Sequence, residues 1–249
     1  VGSHCLDCAK AARPDVATRA KLASSRVLTP ATYAIVGVNV AVFLWMVALD
    51  SGTLAGDTTK QHVDLALNRS IVHSTHDWYR IVTSGFIHFG IIHLAFNMLL
   101  LVQLGHLLER ALGPVKFTLL YFACLLGGSF GVLLLDGTRI TATGGASGAV
   151  FGLMGAAAVG LHRRGVNVFS TGIGSTLLLN LVFTFTISGI SIGGHVGGVL
   201  TGGLCGWFML EPQWKPSPKW VGWATPAAVA VICAVGCYWA STSLPVFTG

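Results

Sequence analysis

Seven long apolar stretches follow one another along the chain, separated by short segments that hold most of the charged residues. A helix needs about 20 mostly apolar residues to cross the hydrocarbon of a bilayer, and each stretch approaches that length. The pattern therefore predicts seven membrane-spanning helices. In chain order, the predicted spans cover residues 31–49, 93–108, 115–135, 145–161, 168–186, 190–210 and 220–240.

The composition also indicates a membrane protein. Hydrophobic residues make up 53% and charged residues 10% of the 249-residue chain, and the mean hydropathy is +0.72. Soluble globular domains carry about 25% charged residues, so this composition argues against a soluble fold. The first apolar stretch lies behind a basic segment and is too long for the apolar core of a signal peptide. We therefore expect no cleavable signal peptide.

The basic residues predict the orientation, because Lys and Arg concentrate on the cytoplasmic side of a membrane. With a cytoplasmic N-terminus, alternate loops place 11 of the 15 basic residues on that side and 4 outside. We therefore expect a multi-pass protein of the plasma membrane with an external C-terminus. The net charge of +6 would suggest a nucleic-acid partner in a soluble protein, but topology explains it here, and none is expected. The 4 external residues are Lys60, Arg69, Arg80 and Arg139.

Four polar residues within or at the ends of the spans are candidates for chemistry, because polar groups in hydrocarbon are costly unless paired. His93 and Asn97 lie at positions i and i+4, on one face of the second span. Ser147 opens the fourth span, and His195 lies in the sixth. Taken singly, each could be a packing or interhelical hydrogen-bonding residue. Together on three spans, they favour a catalytic site.

These residues supply what acyl transfer to a serine requires: a nucleophile, a base and donors for the developing oxyanion. Ser147 lies at a helix start, where free backbone N–H groups favour an anion. His195 can take the serine proton, and His93 and Asn97 can donate to the oxyanion. The fourth, fifth and sixth spans contain no Asp or Glu, so we expect a Ser/His dyad. No cofactor is expected.

Glycines predict how the nucleophile and base meet, because glycine-faced helices in membranes can approach closely. Phe151, one turn after Ser147, could also pack on the His195 ring. We therefore expect the fourth and sixth spans to pack together with Ser147 and His195 at the outer end of their contact. The glycines are Gly148 and Gly152 on the fourth span and Gly194, Gly198, Gly202 and Gly206 on the sixth.

From about residue 32 to residue 210, the chain resembles the rhomboid intramembrane serine proteases. The resemblance implies an all-α membrane protein, with a six-helix transmembrane bundle plus one extra C-terminal transmembrane helix. It implies that Ser147 is the nucleophile and His195 the base. It also implies that His93, Asn97 and the Ser147 backbone N–H form the oxyanion hole. The matching residues are Trp78, Tyr79, Arg80, His88, His93, Asn97, Gly105, Glu109, Gly145 to Gly148 and Gly194 to Gly198.

The same resemblance implies single-pass transmembrane proteins as substrates within the lipid bilayer. Span four would be short and start inside the membrane, since 17 residues form a helix of about 25 Å against hydrocarbon of about 30 Å. Span five, followed by Ser188 and Gly189, would be the lateral gate. The loop holding Trp78 and Arg80 would lie at the lipid interface.

We expect four segments: a cytoplasmic N-terminal segment (1–30), the catalytic core (31–210), a cytoplasmic linker (211–219) and the seventh helix with a short external tail (220–249). Cys5 and Cys8 form a single CxxC, whereas a structural zinc site usually needs two such pairs. They resemble the last half of a zinc module found before the first span in some bacterial rhomboids. Cys5 and Cys8 are therefore candidate zinc ligands, with reduced thiols as the simpler alternative.

Two other functions fit parts of this pattern. A non-catalytic rhomboid-like protein that binds transmembrane clients would be expected to lack Ser147 or His195. A small transporter or channel could also use intramembrane His residues and broken helices. Against it, the sequence shows no internal repeat with matching interrupted spans and no intramembrane carboxylate for ion coupling.

Overall fold

The computed structural model describes residues 28–136, 142–212, 214 and 217–245. Cys5 and Cys8 lie outside the described residues. Those described are almost entirely helical, and the β pairing among them is a single bridge between Leu67 and Thr143. The seven longer helices are α1 (Pro30–Leu49), α2 (Ile91–Leu112), α3 (Pro114–Gly131, continued by a π-helical turn, Val132–Asp136), α4 (Ser147–Arg163), α5 (Ile173–Thr186), α6 (Ile192–Met209) and α7 (Val221–Ser243).

These helices form an all-α membrane bundle in which α4 occupies the centre. Helices α2, α3, α5 and α6 pack around α4, while α1 packs on α2 and α7 packs on α3 and α6. Among the described residues, four helices are long and apolar enough by themselves to cross a membrane: α1, α2, α3 with its π turn, and α7. The 17-residue α4 has the short length that the sequence predicts.

Two predicted spans differ from the helices that form. The second helix begins at Ile91 and ends at Leu112, longer than predicted at both ends, because glycines with positive φ stand at Gly90 and Gly113. The fifth span is not continuous. A short 3₁₀ helix (Val168–Thr171) is followed by Gly172 at φ +78°, and α5 then runs for 14 residues.

A buried carboxylate joins α1 to α2. Glu109, near the end of α2, accepts hydrogen bonds from the backbone N–H groups of Ala31 and Thr32 at 3.0 and 2.8 Å and from the Thr32 hydroxyl at 2.6 Å. Gly105 makes room for Thr32, since a Cβ there would overlap the threonine side chain. The pair Gly105 and Glu109 therefore caps the first turn of α1, whose N–H groups have no acceptor within the helix.

The segment between α1 and α2 contains four short α-helices and a 3₁₀ helix (Ser84–Phe86), and hydrogen bonds from Arg80 join parts of it. Arg80 is 6% exposed, and its guanidinium donates to the carbonyl oxygens of Val63 and Ala66 and to the Asp77 carboxylate. The Arg80 charge is therefore used inside the protein, while the position of its loop at the lipid interface stays a prediction. The short α-helices are Gly52–Ala55, Lys60–Leu65, Arg69–Thr75 and Arg80–Thr83.

The same segment contacts the seventh helix. Arg69 donates to the carbonyl oxygens of Leu133 and Pro245 at 3.0 and 2.7 Å. Trp78 packs against Tyr238 of α7 with ring centroids 5.3 Å apart. Helix α7 is thus joined at its C-terminal end to the loop region as well as packed along α3.

Glycine allows α4 and α6 to touch backbone to backbone. A Cβ on Gly198 would overlap the carbonyl oxygen of Gly148, and a Cβ on Gly202 would overlap that of Gly152. Helix α3 adds a third glycine face that the sequence analysis did not identify. Its Gly131 approaches the carbonyl oxygen of Gly193 so closely that a side chain there would overlap it.

Replacing Gly198 with Ala should push α4 and α6 apart, because the Gly148 carbonyl it would meet is backbone and has little room to move. We expect the free energy of unfolding to fall by about 1–3 kcal/mol, the usual cost of overpacking a core. Thermal unfolding in detergent micelles measures this. The matched control is Gly37→Ala in α1, where the added methyl group meets nothing within 4 Å. Equal stability of the two variants would contradict the packing account.

Candidate active site

The segment leading into α4 is held in place from both sides. Thr143 pairs with Leu67 through two backbone hydrogen bonds of 2.8 and 3.0 Å. Gly145 has a φ of +131°, which L side chains rarely adopt, and its N–H donates to the Ser84 carbonyl oxygen at 2.8 Å. These contacts place Ser147 as the first residue of α4.

Ser147 and His195 are brought together by the glycine contact between α4 and α6. The Ser147 hydroxyl oxygen lies 2.9 Å from Nε2 of His195, within hydrogen-bond reach. His195 is 8% exposed, whereas Ser147 is half-buried. The pair therefore has the distance that proton transfer from a serine to a base requires.

The His195 ring is held on its face by Phe151. The two rings stack with centroids 3.8 Å apart and an angle of 12° between their planes, as the sequence analysis expected. Such stacking restricts rotation of the imidazole, so its two nitrogens keep their directions. Phe151 is buried one turn after Ser147 on the same helix, so α4 carries both the serine that meets Nε2 and the ring that covers one face of the imidazole.

The second ring nitrogen of His195 meets a residue that the sequence analysis missed. Thr184, on α5, places its hydroxyl oxygen 2.7 Å from Nδ1 of His195. Nothing in the spacing of the sequence singles out this threonine, which lies among several others in an apolar helix. The carboxylate of Asp136 does not occupy this position, since it accepts from the Ser191 hydroxyl and the Gly193 N–H at the start of α6.

His93 lies beside Ser147. Its Nδ1 is 3.4 Å from the N–H of Phe89, which can only donate, so a neutral His93 carries its proton on Nε2. A Cβ placed on Gly145 would be 2.9 Å from His93 Nε2 and 3.7 Å from the Ser147 hydroxyl oxygen. His93 therefore presents an N–H donor close to the serine.

Asn97 lies one turn along α2 from His93. Its side-chain amide donates to the His93 carbonyl oxygen at 2.9 Å, which uses one of its two N–H groups. In the described structure, neither His93 nor Asn97 is hydrogen-bonded to Ser147 or His195. Each residue thus keeps one N–H group that can donate to a further acceptor, and that of His93 lies beside the serine.

His88 contacts two parts of the site, the residue before Ser147 and the ring of His93. It is fully buried, and its Nε2 lies 3.4 Å from the N–H of Ala146, the residue before Ser147. Its ring also meets His93 edge-on, with centroids 5.1 Å apart. His88 therefore helps to hold both the start of α4 and the neighbouring donor. Within the described residues, no group of three or more His, Cys, Asp or Glu side chains could hold a metal ion.

The chain is similar in sequence to a family model and to several curated proteins. A family model described as "Rhomboid domain" matches residues 75–212, more than half of the chain. Rhomboid protease GluP of Bacillus subtilis is 30% identical over 174 residues, covering 69% of this chain and 33% of the relative. Rhomboid-like protease 1 of Toxoplasma gondii is 34% identical over 167 residues, covering 63% and 55%.

A third relative, Rhomboid protease GlpG of Photorhabdus laumondii, is 28% identical over 187 residues, covering 72% of this chain and 61% of the relative. The chain thus spans from a third to about three fifths of the length of these three curated relatives.

Proposed function

The chain belongs to the rhomboid family, and from this premise we propose that it is an intramembrane serine endopeptidase. The proposed reaction is hydrolysis of a peptide bond within or next to a transmembrane helix of another protein. The observation that carries the proposal is the 2.9 Å contact between the Ser147 hydroxyl and His195 Nε2. In a bundle built for packing alone, no serine and histidine need to meet in this geometry.

The proposed mechanism uses Ser147 as nucleophile and His195 as base. His195 Nε2 takes the hydroxyl proton as the Ser147 oxygen attacks the carbonyl carbon of the scissile bond. The oxyanion that forms is stabilised by the Ser147 backbone N–H and by the free N–H groups of His93 and Asn97. His195 then gives its proton to the departing amine, which leaves an acyl group on Ser147.

Water completes the cycle. His195 takes a proton from a water molecule as the water oxygen attacks the acyl carbon. Collapse of this second intermediate releases a carboxylic acid, while His195 returns the proton to the departing Ser147 oxygen and restores its hydroxyl. Ser147 is half-buried rather than fully enclosed, which is compatible with attack by water. No cofactor is needed in this scheme.

The proposed substrates are single-pass transmembrane proteins that approach through the bilayer. Helix α5 supports this, since Gly174 and Thr184 are its only buried residues and its other side chains are partly or fully exposed. It is therefore the least enclosed helix next to the site. Large apolar side chains cover its outer surface, among them Leu178, Leu179 and Phe185, which suits contact with lipid or with an apolar helix.

Ser147→Ala should abolish cleavage of a transmembrane test substrate in reconstituted vesicles, because no acyl-enzyme can form without the hydroxyl. The fold should survive the loss of one half-buried oxygen, which thermal unfolding will check. Ser175→Ala is the control, since this exposed hydroxyl bonds only to the Gly172 carbonyl oxygen. Full cleavage by Ser147→Ala would refute the assignment. A wild-type protein that binds helices without cleaving them would instead indicate a non-catalytic client-binding function.

Asn97→Ala and His93→Ala should each slow cleavage by roughly 10²–10³-fold without abolishing it, the usual cost of losing one oxyanion donor. Initial rates, normalised to folded protein, measure the effect. Asn39→Ala is the control for Asn97, because Asn39 donates in the same way to the Ile35 carbonyl oxygen on α1, away from the site. Unimpaired rates in both site variants would show that the oxyanion is held elsewhere.

For the orientation, we propose a plasma-membrane protein with a cytoplasmic N-terminus and an external C-terminus, as the distribution of Lys and Arg predicts. A reporter fused after residue 249 should be active outside the cell, and one fused before residue 1 should be active in the cytoplasm. Both reporters on the same side would mean that the number of spans is even, and an exchange of the two sides would invert the assignment.

A further inference from the structure

We propose that Thr184 is a positioning residue for His195, whose hydroxyl accepts a hydrogen bond from Nδ1–H and so leaves Nε2 free to take the serine proton. This role rests on the proposed function and deepens it, because it concerns how the base of the same site is prepared for its task. A base-orienting group is the third part of many serine hydrolase sites. Spans four to six contain no carboxylate for this role, and Thr184 fills it.

The geometry of Thr184 is that of a buried, specific contact. The residue is 2% exposed and its hydroxyl oxygen lies 2.7 Å from His195 Nδ1. The helix that carries it is otherwise thinly buried, with Gly174 as its one other buried residue. The most enclosed side chain of α5 is thus the one that reaches the histidine.

Counting protons determines the direction of this hydrogen bond. The Thr184 hydroxyl oxygen is also 2.7 Å from the carbonyl oxygen of Asn180, which can only accept. The single hydroxyl proton therefore goes to Asn180, and the hydroxyl oxygen accepts from His195. A neutral imidazole carries one N–H, so that proton is on Nδ1, and Nε2 faces the Ser147 hydroxyl with a lone pair.

The opposite arrangement would disable the base. If Nε2 carried the proton, His195 could only donate to Ser147 and could not accept the hydroxyl proton during attack. Among the described residues, no other hydrogen-bond partner of Nδ1 is present: Phe151 covers a face of the ring, and Asp136 is engaged at the start of α6. Thr184 alone distinguishes the two tautomers.

A neutral hydroxyl suits this position better than a carboxylate would. An ionised group between helices in a bilayer is costly to bury, whereas the threonine satisfies its own proton within α5. When His195 becomes protonated during the reaction, both ring nitrogens donate, and Thr184 continues to accept without changing its own state. Because Thr184 lies on α5, a displacement of α5 would break this hydrogen bond and remove the preference for the Nδ1–H tautomer of His195.

The test compares Thr184→Val, which keeps the shape and removes the hydroxyl, with Thr184→Ser, which restores it. In cleavage assays on a transmembrane test substrate, we expect kcat of Thr184→Val to fall roughly 10- to 100-fold, the range for a hydrogen bond to a charged group. KM should stay within about twofold, because the substrate is not contacted. Thr184→Ser should recover most of the rate.

Thr186→Val is the matched control, since this exposed threonine makes the same bond to the carbonyl oxygen four residues earlier, Val182, without meeting His195. Its kcat should equal that of the wild type. If Thr184→Val also keeps the wild-type kcat while the wild-type protein cleaves and Ser147→Ala does not, the positioning role is refuted and the proposed function stands.

Nuclear magnetic resonance of protein labelled with ¹⁵N-histidine gives a second readout that does not depend on turnover. At neutral pH, His195, identified by its loss in His195→Ala, should show a protonated Nδ1 and an unprotonated Nε2, and Thr184→Val should show a mixture of tautomers. A protonated Nε2 in the wild type would overturn the inference directly. A wild-type protein that neither cleaves the transmembrane test substrate nor forms a covalent adduct with a fluorophosphonate would overturn the proposed function, and the positioning role with it.

Discussion

The close contact between α4 and α6 is the constraint on which the rest of the structure depends. It places a serine from one helix against a histidine from another at 2.9 Å, a distance that ordinary side chains between the helices would prevent. Along this contact, carbonyl oxygens of one helix fill the space that a Cβ would take on the other. Glycine weakens a helix by roughly 0.5–1 kcal/mol per residue relative to alanine, so the contact must offset that cost through packing.

Around this contact, the two catalytic candidates are oriented by uncharged neighbours. Phe151 restricts the His195 ring from its face, and Thr184 meets its second nitrogen. The carboxylates nearest to the core perform structural tasks instead, with Glu109 capping α1 and Asp136 holding the start of α6. This division follows from the cost of burying charge in a bilayer: each carboxylate is used where several backbone donors are unpaired at a helix start.

Much of this organisation could be predicted from the sequence, because apolar length and intramembrane polar residues are strong signals. The seven helices follow from apolar length, and the glycine faces of α4 and α6 follow from spacing along each helix. Phe151 could be placed on His195 because it lies one turn after Ser147, on the face that the glycines bring against α6. What could not be predicted depends on contacts between helices. The break at Gly172, the third glycine face on α3 and the burial of Arg80 within its own loop require the tertiary arrangement. Thr184 is the clearest case, since its environment distinguishes it from Thr186 only in the folded structure.

The central claim is that Ser147 is a nucleophile activated by His195. Reaction of the detergent-solubilised protein with a fluorophosphonate, followed by digestion and mass mapping of the adduct, tests it most directly, because this probe reports covalent chemistry without requiring a known substrate. The account predicts a single phosphonylated residue, Ser147, with labelling lost in His195→Ala. An adduct on another serine, or labelling of Ser147 that persists at the wild-type rate without His195, would contradict it.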